Sequence, residues 1–448
     1  MDELIISVSG MRGIVGGSLT PEKVARYVRA FDSTLSPGPL VISRDGRANA
    51  GPIVEVVCNT LQQQGRDVLS ADIAATPTAA LLVREQKAAG GIQISASHNP
   101  PEYNGLKLLA ASGRMLPASE GEVVLERYLQ ARSSPAPASP GRLLKIEQVI
   151  SMHMLKILET VDTERIRSRQ FRVLLDANRG AGSLLGRPLL EELGCQLTIL
   201  GETPDGHFEH PAEPTAANLA PLIEQLGEGE YDVVFCQDPD ADRLAIIDEQ
   251  GRYLGEELTL AICLDHLLAT HTGAIVTNCS SSRASEEIAR RHDVPFFQSA
   301  VGEANVVDLM LEKNACFGGE GNGGVIDPRV VLARDSFVGM AQVLDAMAAS
   351  EETVSQLADR LPRFQIHKGK VPLSHDLIET LFMRLQELFP QARVSTLDGL
   401  RLDWNDRWLL VRASNTEPIV RCIAESSEPG VASALCDQVI ELADQLSS

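Results

Sequence analysis

Leu40-Val-Ile-Ser43, Val68-Leu-Ser-Ala-Asp-Ile73 and Gly91-Ile-Gln-Ile-Ser95 are three short apolar runs within the first hundred residues. Each has the length of a strand. Ahead of the first, Val24, Tyr27, Val28 and Phe31 recur at helical spacing after Thr20-Pro21, an N-cap followed by proline at the first helical position. Strand signals alternating with helical ones predict a mostly parallel α/β sheet.

The pattern restarts twice. Val173-Leu-Leu-Asp176, a helix over 183–193, a strand over 196–200, a helix over 219–226 and the strand Asp232-Val-Val-Phe-Cys236 form a second series. Ala274-Ile-Val-Thr277, with helical signals over 284–291 and 305–313, opens a third. Beyond about residue 366 the character changes: short strands over 409–412 and 419–424 pair, and an amphipathic helix covers 431–445. Ser133-Ser-Pro-Ala-Pro-Ala-Ser-Pro140 reads as a linker. The expected domains are 1–140, 141–249, 250–365 and 366–448.

The chain has 448 residues, with 61 Asp+Glu against 40 Lys+Arg and a formal net charge of -21. Such acidity argues against nucleic-acid and anionic-membrane partners, which need basic footprints. No apolar run approaches the roughly 20 residues of a membrane span. The start, Met1-Asp-Glu-Leu-Ile-Ile6, lacks the basic and apolar regions of a signal peptide. The eight cysteines form no C-x-x-C pair and read as free thiols in a reducing compartment, so the expected location is cytoplasmic.

Four loops carry chemistry. Ser95-Ala-Ser-His-Asn-Pro-Pro101 follows a predicted strand, where open α/β sheets place ligands. It has no G-x-S-x-G elbow, and on an extended loop Ser97 and His98 point apart. Lys107 is a nearby cation, for phosphate or for solvent. Asp238-Pro-Asp-Ala-Asp-Arg243 sets three carboxylates at alternate positions, hard ligands suited to Mg2+ or Ca2+. An EF-hand is excluded, since its glycine position is Arg243 and the flanks read as strands.

Gly318-Gly-Glu-Gly-Asn-Gly-Gly324 contains G-x-G-x-x-G, but Val-Ile-Asp-Pro follows where a dinucleotide site needs a helix. Glu320 and Asn322 remain as groups for sugar hydroxyls or for turn chemistry. Arg412-Ala-Ser-Asn-Thr-Glu-Pro-Ile-Val-Arg421 holds the inventory of a phosphate grip, with surface ion pairs the open alternative.

Together these loops resemble the α-D-phosphohexomutase family. Ser9-Gly-Met-Arg-Gly13, Ser95–Pro100, Asp238–Arg243, Gly319-Glu-Gly-Asn-Gly323 and Arg412–Arg421 stand in the order of that family's motifs. Arg44-Asp-Gly-Arg47 and Asn218-Leu219 are weaker matches. The resemblance implies three α/β units of shared topology with mixed sheets and a smaller C-terminal α+β domain, all around a central cleft. It implies interconversion of hexose 1- and 6-phosphates through a phosphoserine at Ser97 and a hexose 1,6-bisphosphate. Asp238, Asp240 and Asp242 would hold Mg2+ with a phosphoserine oxygen. Arg12, His98 and Lys107 would surround the transferring phosphate, with Arg243, Glu320 and Asn322 on the substrate. Arg412, Ser414, Asn415, Thr416 and Arg421 would grip the other phosphate.

Two departures stand out. Asn322 and Gly324 replace the family's usual serine and histidine, a form similar to archaeal-type phosphoglucosamine mutases and related phosphoglucomutase/phosphomannomutase enzymes. The third-domain lysine of many members has no assigned counterpart. Phosphoglucosamine mutase is the expected activity, with phosphoglucomutase/phosphomannomutase as the alternative. A non-catalytic sugar-phosphate-binding protein and a Mg2+-dependent phosphatase are the rivals from other classes. No feature of the sequence specifies an oligomeric state.

Overall fold

A computed structural model describes residues 4–7, 10–130, 139–413 and 418–447. Ser9, most of the 133–140 segment and the predicted phosphate ligands Ser414, Asn415 and Thr416 lie outside the described residues. The first predicted helix is Pro21–Asp32, and Thr20 caps it by accepting from the Lys23 N–H.

Four sheets account for the strands. In the first, Leu40–Arg44 runs parallel to Val68–Ile73 and Gly90–Ile94. In the second, Arg172–Asp176 runs parallel to Gln196–Leu200 and Val233–Gln237. In the third, Ile275–Asn278 runs parallel to Phe296–Ser299 and Phe317–Glu320. Each parallel trio then receives an antiparallel neighbour, namely Tyr103–Ala110, Leu244–Asp248 and Gly324–Ile326. The same order, second-first-third-fourth, thus occurs three times.

The sheets are mixed rather than mostly parallel because the segments before these fourth strands, residues 95–102, 238–243 and 321–323, are too short for a crossover. All three predicted functional loops in these domains are therefore hairpin turns on the end of the last parallel strand. That places them at equivalent points of three copies of one topology.

One continuous hydrophobic core joins the three units, running through Leu81, Leu189, Leu264 and Phe337. Its axis is the helix Ser336–Ser350, buried on every side from Ser336 to Ala348. A helix apolar all round belongs in the middle of a protein. The C-terminal unit is an all-antiparallel sheet, ordered Gln365–Pro372, Ile419–Ser426, Arg407–Ala413, Leu400–Asp403, Arg393–Ser395, with the helices Ile378–Leu388 and Val431–Ser447. It has a separate core.

The C-terminal unit meets the third unit through Cys279, Trp408 and Leu410. Trp408 Nε1 donates to Glu425 at 2.9 Å, and Glu425 also accepts from Arg283 N. All eight cysteines are free. Among the described residues no helix is long and apolar enough to cross a membrane.

Candidate active site

The serine loop is built from beneath. Ser95 Oγ donates to Asp45 at 2.6 Å and accepts from Ser97 N at 2.8 Å. Arg47, 1% exposed, donates Nη2 to the Ser97 and Asn99 carbonyls at 2.6 and 2.7 Å. Its Nη1 reaches the Pro100 and Tyr103 carbonyls at 2.7 and 3.1 Å, and its Nε pairs with Asp45. One guanidinium satisfies four carbonyls of one turn, which fixes the loop tightly enough to hold Ser97 at φ 50, a left-handed conformation costly for a side chain.

The loop is therefore curled rather than extended, and the expected divergence of Ser97 and His98 is corrected. Ser97 Oγ lies 3.4 Å from His98 Nδ1 and donates to Asp238 Oδ2 at 2.8 Å.

Asp238, Asp240 and Asp242 follow the strand Val233–Gln237 and are all 0% exposed. The loop folds back on itself, with Asp238 Oδ1 accepting from the backbone N–H groups of Asp242 and Arg243. Lys107 Nζ reaches Asp240 at 2.5 Å and Asp242 at 2.8 Å. Thr76 Oγ1 also donates to Asp240. Burial pushes Asp238 well above the ordinary carboxylate range, with repulsion from Asp242 and Asp240 adding to it. Burial also raises Asp242, but Arg334, Lys107 and Arg243 outweigh that and hold it well below the usual range.

The donor set fits a divalent cation. One ligand oxygen from each aspartate can be chosen so that all lie within 4.8 Å of one another. Asp240 Oδ1 and Asp242 Oδ1 are buried with no hydrogen-bond partner, an arrangement that a hard cation relieves.

The side of the site facing Ser97 is crowded with positive groups. Arg12 donates to Asn99 at 2.9 Å, and burial together with Arg243 depresses its guanidinium. Burial, Arg243 and Arg12 drive His98 down to about 2, so its imidazole is neutral at neutral pH. Cations that depress one another in this way are arranged for an anion. Arg243 also pairs with Glu213 at 3.3 Å.

Arg334 connects this centre to the sugar loop. Its guanidinium reaches Asp242 at 2.6 Å, Glu320 at 2.8 Å and Glu303 at 3.1 Å. Burial would lower Arg334, but Asp242, Glu320 and Glu303 raise it well above its ordinary value. Sequence reasoning missed it because Leu332-Ala-Arg-Asp-Ser336 carries no local signal; its partners come from two other loops. Glu320 also accepts from Asn278 at 2.7 Å and Gly302 N at 3.0 Å. Asn322 Nδ2 lies 3.5 Å from Glu320, and its Oδ1 accepts from Gly324 N. Gly323, at φ 79, docks on the aspartate hairpin, where a Cβ would lie 2.2 Å from the Leu244 carbonyl oxygen.

Glu320, Asn322, Arg412 and Arg421 border one cavity of about 530 Å³ between the third unit and the C-terminal sheet. Lys370 stands opposite Arg421, which stands opposite Arg412, so three cations share one row on adjacent strands. Like charges in cross-strand contact are unfavourable without an anion between them. Asp398 anchors Arg412 at 3.2 Å and accepts from Val301 N across the domain junction. Lys370 and Asp398 were not singled out from the sequence.

A larger cleft of about 820 Å³ adjoins this cavity through Glu257, Gly321 and Lys368. Neither space includes Ser97 or the aspartates, which connect to the sugar loop through Arg334. The structure thus joins the predicted residues into two groups, Ser97 with the aspartates and Glu320 with the C-terminal arginines.

Replacing Arg47 by Met leaves four loop carbonyls without their buried donor. We expect Arg47→Met to lower kcat on a sugar phosphate by about 100-fold, since mispositioning a reacting group by about 1 Å costs that much. Steady-state kinetics on the purified variant checks this, and wild-type kcat would refute it.

Family models match nearly the whole chain. The phosphoglucomutase/phosphomannomutase alpha/beta/alpha domains I, II and III match residues 4–134, 151–251 and 256–364, and the C-terminal domain matches 379–442. The phosphoglucomutase/phosphomannomutase of Thermococcus kodakarensis is 34% identical over 447 residues, covering 97% of each chain. The phosphoglucosamine/phosphogalactosamine mutase of Sulfurisphaera tokodaii is 29% identical and covers 98% of this chain and 99% of its own. The crystal structure of a phosphoglucomutase/phosphomannomutase family protein from Burkholderia thailandensis superposes with a TM-score of 0.85 at 22% identity, over 99% and 98% of the two chains. On sequence and fold together, the chain belongs to the phosphoglucomutase/phosphomannomutase family and is a phosphohexomutase.

Proposed function

We propose that Ser97 carries the phosphoryl group and that glucosamine phosphate is the preferred substrate. The observation that carries the first part is Ser97 Oγ held 2.8 Å from Asp238, beside two carboxylate oxygens with no partner. In the forward step the bond from phosphorus to Ser97 Oγ breaks, and a bond forms to the free hydroxyl oxygen of a hexose monophosphate. The proton lost by that hydroxyl balances the one gained by Ser97 Oγ. His98, 3.4 Å away, stays neutral, so its role is to orient the Ser97 oxygen rather than to take the proton. The resulting hexose 1,6-bisphosphate reorients, and its other phosphate returns to Ser97.

Bound by Asp238, Asp240 and Asp242 with a phosphoserine oxygen, Mg2+ would supply charge neutralisation on the phosphoryl group. Lys107 and Arg334 hold the aspartates in place, and Arg12 and Arg243 attract the dianion. Glu320 orients the sugar through its hydroxyls, with Asn322 beside it. Arg412, Lys370 and Arg421, with Ser414, Asn415 and Thr416 next in the chain, grip the non-reacting phosphate. That grip serves both orientations, because the two phosphates are chemically alike. Positioning and charge stabilisation carry most of the rate.

For the sugar, the supporting feature is Glu257. It borders the substrate cavity, and its carboxylate accepts from Ser282 N at 2.9 Å, with no ion pair among the described residues. Burial, with Glu425 and Glu256 adding to it, pushes its carboxyl up to about 8. An ammonium on C2 of the sugar would supply the missing cation. Glucose and mannose phosphates are the second reading, favoured by the 34% identical relative.

Ser97→Ala should abolish steady-state mutase turnover, by at least about 1,000-fold, in a coupled assay; unchanged turnover would remove Ser97 as the carrier. Side by side, kcat/KM should be highest for glucosamine 6-phosphate. Glu257→Gln should lower that value about tenfold more than it lowers the value for glucose 6-phosphate. Equal losses on both sugars would contradict the assignment of Glu257.

A further inference from the structure

Behind the aspartate loop, three polar side chains from three different units meet in the core. Thr78 Oγ1 lies 2.9 Å from His153 Nδ1, and His153 Nε2 lies 2.7 Å from Asp335 Oδ2. Thr78 is 1% exposed, and His153 and Asp335 are 0% exposed. A Thr–His–Asp line has the chemistry of a nucleophilic triad, but here it is sealed from solvent and from both cavities. It cannot meet a substrate.

Its two ends explain its position. Thr78 lies in the first turn of the helix Thr76–Glu85. Thr76, two residues earlier, donates its N–H to the Asp240 carbonyl at 2.9 Å and its hydroxyl to the Asp240 carboxylate. Asp335 caps the central helix by accepting from Phe337 N at 2.9 Å and Val338 N at 3.3 Å. Its neighbours both touch the aspartate loop: Arg334 binds Asp242 at 2.6 Å, and Ser336 Oγ donates to the Ala241 carbonyl at 2.7 Å. His153 stands on the helix Ser151–Leu158 of the second unit, edge-on to Phe337 with ring centroids 5.6 Å apart.

We propose that His153 is a positioning residue for phosphoryl transfer. Through Thr78 and Asp335 it ties the Thr76 contact on Asp240 and the Arg334 contact on Asp242 to one rigid point. All three proposed metal ligands are contacted from outside their own unit, Asp238 and Asp240 by the first and Asp242 by the first and third, and His153 is a buried polar bridge between those units. A hydrophobic side chain in its place would leave the Thr78 hydroxyl and one Asp335 oxygen buried without their partner, which loosens both helix starts. This inference rests on the proposed role of the aspartates as metal ligands.

The test uses full-length His153→Ala, His153→Gln and Thr78→Val. Metal affinity is read directly, from the electron paramagnetic resonance signal of free Mn2+ during titration. Amide hydrogen exchange is followed in residues 76–80 and 334–338, and kcat and KM are measured with Mg2+. For His153→Ala we expect Mn2+ binding about tenfold weaker, faster exchange in both segments and kcat about tenfold lower. KM should stay within about twofold, since the proposed phosphate grip lies in the C-terminal unit. His153→Gln, whose amide nitrogen reaches the position of Nε2, should recover most of the loss, and Thr78→Val should fall between.

Unchanged Mn2+ affinity and exchange in His153→Ala would overturn the proposal. So would a loss in kcat and KM together that glutamine fails to rescue, since that describes lost stability alone. If the alanine variant does not fold, the other two variants decide by the same readings. Absence of mutase turnover in the unaltered enzyme would overturn the function instead, and Mn2+ binding and exchange would still decide the role of His153.

Discussion

Three carboxylates on alternate residues, buried in a hairpin turn, are held together by cations from other units and by hydrogen-bond donors, including the loop's own backbone N–H groups. Isolated buried anions are expensive, and the cost falls when cations and hydrogen-bond donors meet them with good geometry. Here Lys107 arrives from the first unit and Arg334 from the third, each reaching Asp242. The buried carboxylates therefore meet both cations only where all three units pack together. The continuous core through Leu81, Leu189 and Phe337 supplies that packing. Two oxygens still lack hydrogen-bond partners after both cations are in place, a residual demand that a bound divalent cation would meet.

The same topology, used three times, explains why the chemistry converges. In each unit the last parallel strand ends in a hairpin, and the hairpin turn is the functional loop. Ser97 and the aspartates occupy equivalent turns, and Glu320 ends the strand that enters the third. Packing the units about the helix Ser336–Ser350 brings the second and third turns together, with Gly323 against Leu244. The C-terminal unit differs in every respect: its sheet is antiparallel, its core is its own, and it contributes a row of cations suited to a phosphate, whichever end of the sugar carries it.

Much of this was legible in the sequence, for a physical reason. Asp238, Asp240 and Asp242 sit in one loop whose residue types point to a hard cation, whereas the roles of Ser97 and Glu320 follow from the order of the loops and the resemblance it carries, not from those residues alone. The strand and helix alternation carried the fold class, although the hairpins made the sheets mixed. What could not be read were residues whose meaning comes from distant partners. Arg334 looks like any surface arginine until Asp242 and Glu320 surround it, and His153 lies in an unremarkable apolar helix. Lys370 and Asp398 matter through strand register and a domain junction, neither of which is local. The net charge of -21 describes the exterior. Around Ser97, burial and neighbouring positive groups depress Arg12 and His98, so cations gather there whatever the charge of the exterior.

The central claim is that Ser97 carries the phosphoryl group between the two positions of the sugar. Mass spectrometry of the enzyme loaded from glucose 1,6-bisphosphate carrying 18O-labelled phosphates with Mg2+, and again after an unlabelled hexose 6-phosphate is added, tests it most directly. The expected result is a single labelled phosphate on the peptide containing Ser97, replaced by an unlabelled one as the label passes to the sugar phosphate. A phosphate on another residue, or a label on Ser97 that does not exchange into the sugar, would contradict it.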